Sequence, residues 1–372
     1  MTLRLAAAVA ALALAACSSS DGPKPAELPE IANAKAIRLL WSTSAGSGEN
    51  FTFFPALTGD AIFIAARDGR VARLDPASGD ERWTSDAERK LSGGVGADAR
   101  TVAVATEEGE VIALDAATGK VRWRARASSE VLTPPTVGAG LVLVRTIDSR
   151  LFGFDAEDGK RRWVYQRTPG SLILRGPTGV SILGDTAYAG FSGGKLVAVA
   201  LSNGAQRWEA TVAVPKGANE LERVTDVVGE PALQGREVCA ATYQGRVACF
   251  EADSGKTIWA RELSSVTGVS VDARYAFVAD DRGTVHAFDR SNGASVWKQE
   301  KLANRQLSMP RATGTVVAVG DFEGEIHFLS RESGNFVGRF SARGGAVRAA
   351  PLLLSSGLLV QTADGGLYAL SP

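Results

Sequence analysis

The sequence predicts an all-β fold: an eight-bladed β-propeller of four-stranded antiparallel blades, closed by an N-terminal strand that completes the last blade. Three observations carry this expectation. A motif returns every 40 residues at Trp83, Trp123 and Trp163, and five further copies follow or are implied. All seven tryptophans of the 372-residue chain occupy one position of that motif. Its truncated last copy at the C-terminus is matched by an orphan third segment at the N-terminus. Self-similarity at such a period is the signature of repeat architectures.

The copies align without gaps. Asp68-GRVARLDPASGDER-Trp83, Glu108-GEVIALDAATGKVR-Trp123 and Asp148-SRLFGFDAEDGKRR-Trp163 are followed by equivalents ending at Trp208, Trp259 and Trp297. A seventh, Glu323-GEIHFLSRESGNFV-Gly338, lacks the tryptophan, and an eighth, Asp364-GGLYALSP, stops at the chain end. Ile37-Arg38-Leu39-Leu40-Trp41 supplies the strand that the eighth copy is missing. Within a copy, a β-rich run such as Val102 to Ala105 leads through a Gly-containing turn to a second apolar run, Val111 to Leu114. There follow an Asp-to-Gly turn, Asp115 to Gly119, and a strand carrying the Trp. Asp suits such a turn because its carboxylate accepts bonds from its own backbone, and Gly because it tolerates positive φ. With one strand from the spacer, each copy makes four short strands, the pattern of a blade.

Val111 and Ala113 alternate with Ile112 and Leu114, so both faces of that strand are apolar and both must be covered by neighbours. The tryptophans (Trp41, Trp83, Trp123, Trp163, Trp208, Trp259 and Trp297) are expected to dock against the adjacent blade, each burying on the order of 200 Å². Pairing of the strand near Leu39–Trp41 with the hairpin ending at Leu370 would hide the two edges of an open array. No stretch keeps a helical period, so helix is expected to be near absent.

Residues 1–16 read as a signal peptide, with Arg4 before an unbroken run of Leu, Ala and Val. That run is shorter than the roughly 20 residues of a membrane-spanning helix. Leu14-Ala15-Ala16-Cys17 resembles a bacterial lipobox, which implies diacylglycerol and palmitate-type acylation at Cys17. Ser18 after it implies sorting to the outer membrane, with the protein facing the periplasm. Several acyl chains anchor firmly, at about 0.8 kcal/mol per buried CH₂. Residues 17–35, polar and proline-containing, read as a flexible tether, and residues 36–372 as the propeller. The 41 basic and 41 acidic side chains balance, which gives no electrostatic case for nucleic acid. Cys239 and Cys249 flank a turn at Tyr243–Arg246. A three-residue turn would set them opposite one another for a disulfide; a two-residue turn on Gln244-Gly245 would leave them one step out of register.

The Asp-x-x-[Ser/Thr/Asn]-Gly-x-x-x-Trp motif resembles the tryptophan-docking repeat of pyrroloquinoline-quinone (PQQ) propellers. Within them, the lipobox, tether, blade count and split closure resemble the BamB family, lipoproteins of the β-barrel assembly (BAM) machine of the bacterial outer membrane. Two insertions carry the resemblance further, lengthening the Trp spacing from 40 to 45 and then 51 residues. Ser171 to Gly176 matches the family's Leu-x-Leu-Arg-Gly segment, which implies that Leu172, Leu174 and Arg175 contact the POTRA domains of BamA, the barrel-inserting subunit. Asn219 to Val228 is similar to a second family loop in which two acids share that surface. Asp226 matches the first acid, and Val228 stands in place of the second. The residues alone also fit strand-core roles for the two leucines. The resemblance implies a non-catalytic scaffold, with BamA, other BAM subunits and nascent outer-membrane proteins as partners.

Two alternatives belong to other classes. A PQQ-dependent dehydrogenase is expected to carry a vicinal Cys-Cys pair and, where haem is bound, Cys-x-x-Cys-His; neither occurs. A peptide- or glycan-binding propeller would show exposed aromatics on its loops, and only Phe51, Phe53 and Phe54 stand outside the repeat as a group. His286 and His327 hold equivalent positions where other copies carry packing residues, so they read as packing and no metal site is expected. The turn aspartates, one per copy, read as turn formers, not calcium ligands. No cofactor is expected.

Overall fold

The computed structural model describes residues 23–372; the expected signal peptide and Cys17 lie outside them. Among the described residues every regular element is a β-strand, and the strands form eight antiparallel sheets of four. Blade 1 comprises Ala56–Thr58, Ala61–Ala65, Arg70–Leu74 and Glu81–Asp86. Blades 2 to 7 repeat this order along the chain. Blade 8 takes Leu352–Leu354, Gly357–Gln361 and Gly366–Ser371 from the C-terminus and Arg38–Ser44 from the N-terminus. Leu39 pairs with Leu370, Trp41 with Ala369 and Ser44 with Gly366, as the sequence predicts.

The ring is closed by packing as well as by pairing. Alternation sends Ile62 and Ile64 of blade 1 against Leu359, Leu367 and Ala369 of blade 8. Phe63 and Ala65 on the other face meet Val102, Val104 and Ile112 of blade 2. Eight such clusters exist, one at each junction around the circle. Val111 and Ala113 do face blade 3, with Ile112 and Leu114 facing blade 1.

Seven junctions share one device. Each Trp Nε1 donates to a backbone carbonyl in the Asp-to-Gly turn of the next blade, at 2.6–3.1 Å. The indole lies flat on the turn glycine, whose φ is +68° to +75°. A Cβ there would sit 2.4–2.8 Å from the ring. Glycine is thus required twice, for the left-handed backbone and for the space the indole fills. The eighth junction has no tryptophan because blade 8 has no such turn: its third and fourth strands come from opposite chain ends. Gly338 stands in the Trp position there, and Lys35 and Ile37 occupy the space beside it.

Residues 24–35, expected as the end of a free tether, instead lie against the propeller, from the connection between blades 6 and 7 to the outermost strand of blade 7. Lys35 N donates to Val337 O and Ala26 N to Ala303 O, both at 2.9 Å. Asn304, Arg305 and Arg339 donate to the carbonyls of Lys24, Ala26 and Pro29 at 3.0 Å each. The cysteine alternative is resolved too. Tyr243, Gln244 and Gly245 form a three-residue turn, Cys239 pairs with Cys249, and the two are disulfide-bonded.

Trp123→Phe should lose the hydrogen bond to Ala156 O and about 1 kcal/mol, and Trp123→Ala about 3–5 kcal/mol. Equilibrium denaturation followed by circular dichroism would measure both. Gly119→Ala, which pushes a methyl into Trp83, should destabilise more than Ala substitution of the open-turn Gly140, where no atom lies within 4 Å.

Candidate docking site

The two insertions occupy successive connections on one face of the ring. The first joins Arg161–Gln166 of blade 3 to Val180–Leu183 of blade 4, and the second joins Gln206–Thr211 of blade 4 to Val227–Gln234 of blade 5. They touch. Gly179 N donates to Gly229 O and Gly229 N to Pro177 O, both at 3.1 Å, which fixes the base of the first insertion on the start of blade 5. Near the tip, the Ser171 hydroxyl donates to Glu220.

Leu172 is 44% exposed and Leu221, on the neighbouring insertion, 72%. The exposure of Leu172 decides against a core role for it. Leu174 is half-buried and lines a small cavity of about 30 Å³ with Arg145, Phe191 and Asp226. Arg175 is exposed but not free: Nε donates to Glu130 at 3.1 Å, and the same guanidinium reaches Glu107 at 3.4 Å. Glu130 holds that guanidinium above its usual range. Glu107 also pairs with Arg67, which covers the Phe51 ring at 4.3 Å. A chain of alternating charges therefore runs from Phe51 to the tip of the insertion.

Asp226 departs from expectation. It is buried under the loop, not displayed on it. Its carboxylate accepts from Leu174 N at 2.7 Å and Gly193 N at 3.3 Å. Burial holds its carboxyl above the ordinary range, opposed by those two amides and by Arg145. Arg145, stacked on Phe191 at 4.3 Å, is itself pushed down to about 10 by burial. Asp226 thus acts as a positioning residue: it fixes the backbone between Leu172 and Arg175. Val228 is buried in blade 5 opposite Ala241 and presents nothing to the surface. The contributions of Glu107, Glu130 and Leu221 were not singled out by the sequence. A carboxylate 45 residues before Arg175 gives no local sign that it will pair with it.

The remaining singled-out residues are structural. His286 and His327 bond through Nε2 to Asp280 and Asp321 at 2.9 and 3.0 Å. His327 also accepts at Nδ1 from Arg339 Nε at 3.3 Å, so its neutral form satisfies both ring nitrogens. Burial pushes His327 below its usual value, against the pull of Asp321. Among the described residues no group of three or more His, Cys, Asp or Glu is placed to hold a metal ion. The turn aspartates bond their own loops, as Asp75 does with Ala77 N at 2.8 Å.

Two outcomes follow from this geometry. Asp226→Ala strands the Leu174 and Gly193 amides, which should cost about 1–3 kcal/mol and speed hydrogen exchange at Leu174 while leaving blade amides protected. For His327 the sign is set by its lowered pKa. Below about pH 6.5 the unfolded chain takes up a proton that the folded side chain refuses, so stability falls with pH. In His327→Gln the thermal midpoint should be lower at pH 7 and depend less on pH between about 6.5 and 5.

Comparison with known proteins places the chain. A family model described as outer membrane protein assembly factor BamB matches residues 67–299. The protein of that name from Bordetella pertussis is 47% identical over 361 residues, 96% of this chain and 93% of the relative. The crystal structure of BamB from Moraxella catarrhalis superposes with a TM-score of 0.83 at 28% identity, covering 91% of this chain and 100% of that one. A quinohemoprotein alcohol dehydrogenase from Pseudomonas putida HK5 superposes at 0.70 with 14% identity, over 89% of this chain and 72% of its own, which shows the fold alone. Seven indole-docked junctions, a split eighth blade and near full-length similarity agree: this chain belongs to the BamB family of outer membrane protein assembly factors.

Proposed function

We propose that the protein is a non-catalytic scaffold of outer-membrane protein assembly, lipid-anchored through Cys17 in the outer membrane, facing the periplasm and docking on the POTRA domains of BamA through the paired insertions. The observation that carries this reading is an apolar-plus-cation tip, Leu172 beside Arg175, on a loop fixed by backbone hydrogen bonds at its base and by the buried Asp226 beneath it. A tip held in one conformation loses little freedom on binding, so less of the contact energy is spent on ordering. Leu172 and Leu221 supply desolvation at the centre. Arg175, held beside Glu130 and Glu107, supplies a cation already oriented for a partner carboxylate. Other BAM subunits and unfolded outer-membrane proteins complete the partner set implied by the family. The disulfide-bonded Cys239 and Cys249 suit an oxidising compartment.

Replacing Leu172, Leu174 and Arg175 together with alanine should abolish co-purification with BamA from solubilised membranes, with the β-sheet circular dichroism signal unchanged. Because Leu174 is half-buried, Leu172→Asp with Arg175→Glu is the companion variant confined to the exposed side chains. Capture of BamA at wild-type yield by that double variant would overturn the assignment.

A further inference from the structure

The axis of the ring holds a cavity of about 450 Å³. Phe54, Pro135, Val266 and Leu352 give it apolar walls, and Glu230 and Arg311 face its space from blades 5 and 7. The innermost strands explain why these two side chains are unusual. Thr136, Ser181 and Ser270 share one ladder position, each pairing with the residue seven places on. Each hydroxyl donates to the inner strand of the next blade, to Val180 O, Pro231 O and Pro310 O at 2.5–2.6 Å. Arg311 holds the same ladder position, opposite Ala318. It carries a guanidinium where the others carry a hydroxyl, and among the described residues its Nε is buried with no hydrogen-bond partner.

Glu230 is aimed inward by a distortion of its strand. The register slips between Val228 and Ala232, with Gly229 at φ +69°. Bulges of this kind re-aim a side chain. The Ser181 hydroxyl, whose single proton is shared between Pro231 O and Glu230, lies 2.8 Å from one Glu230 oxygen, leaving the other to the cavity. Desolvation by the channel walls raises the Glu230 carboxyl and lowers the Arg311 guanidinium, although Glu230 stays exposed to the open channel and Arg311 is half-buried; the two act on each other through charge without a hydrogen bond. Only Nε of the half-buried Arg311 is shut off from water, and a buried donor without an acceptor costs free energy until something pairs with it. Water can fill part of that role, but it supplies no charge.

We infer that the channel binds a small amphipathic ligand with one carboxylate, which pairs with Arg311, and an amine or amide donor, which Glu230 accepts. Guanidinium and carboxylate pair bidentately, which fixes the orientation of the bound acid. Glu230 disfavours a polyanion by placing a second negative charge in the same enclosure. The apolar walls take an aliphatic or aromatic body, and the volume lies within the roughly 300–1,000 Å³ of small-molecule pockets. Free amino acids and short peptides share this chemistry. The site is separate from the insertions, so it stands or falls independently of docking to BamA.

The test uses the mature chain and three probes: the dipeptide Gly-Phe, N-acetylphenylalanine and phenylalanine amide. Ligand-observed saturation-transfer NMR should show saturable binding of Gly-Phe and N-acetylphenylalanine but not of phenylalanine amide, since the carboxylate is the essential group. Preference for Gly-Phe over N-acetylphenylalanine would assign the Glu230 contact to the amine. Arg311→Gln should weaken Gly-Phe at least about tenfold, while Glu230→Gln should weaken Gly-Phe more than N-acetylphenylalanine. Both variants should still capture BamA. Should Arg311→Gln fail to fold, shifts of the Arg311 and Glu230 amides in the wild-type protein on adding Gly-Phe serve in its place. Absence of saturable binding by every probe, equal affinity in Arg311→Gln, or shifts confined to other residues would overturn the proposal.

Discussion

Every blade in this protein is apolar on both faces, and that constraint governs the rest. A lone sheet of this kind would leave two hydrophobic surfaces in water, and an open stack of eight would still leave one at each end. Only a circle gives each face a neighbour. The sequence completes the circle by dividing blade 8 between the chain ends, so that closure is held by a strand ladder as well as by side-chain packing. The indole on the turn glycine then fixes how adjacent blades meet. It is a directional contact, with a hydrogen bond at one edge and a backbone with no Cβ beneath the ring. Apolar contact alone would hold the blades together without fixing their angle.

The exception at Gly338 follows from the same constraint. A tryptophan there would need a turn on blade 8, and the split that closes the ring removes that turn. The chain before Arg38 compensates by running along blade 7 and placing Lys35 and Ile37 beside Gly338. This segment also covers part of an outer strand edge that would otherwise be free to pair with another chain. Strap and closing strand are therefore two parts of one solution to a single missing contact.

Much of this is legible in the sequence. Blade count, closure and indole docking all rest on a repeat, in which each copy corroborates the others. What stayed hidden arises from single, unrepeated events. The disulfide depended on whether one turn held two residues or three, a difference of one position that reverses the facing of every side chain. The strap was read as a leash because its composition is polar and proline-containing, yet it is held by its carbonyls at Lys24, Ala26 and Pro29, which any residue supplies. Asp226 was read as an acid on the contact surface, but it lies beneath the Leu172–Arg175 loop and holds it through the Leu174 and Gly193 amides, a placement the sequence alone does not show. Glu107 and Glu130 reach Arg175 from blade 2 and the connection after it, contacts that exist only once the ring has curled.

The geometry of antiparallel blades links the strap to the insertions. In each blade the connection from the outermost strand to the next innermost strand returns to the same face of the ring. Both insertions are such connections, and so is the segment holding Ala303 and Asn304, to which the strap is bonded at Ala26 and Lys24. The N-terminal segment therefore meets the propeller on the face that carries the Leu172–Arg175 tip. Seven positions separate that contact from the proposed lipid anchor, counting Cys17 through residue 23, and at full extension they span roughly 25 Å. A tether free to residue 35 would have let the ring turn in any direction. A strap bonded from residue 24 makes the face that carries the insertions the near face, so the proposed anchor and the proposed docking contact become one geometric problem.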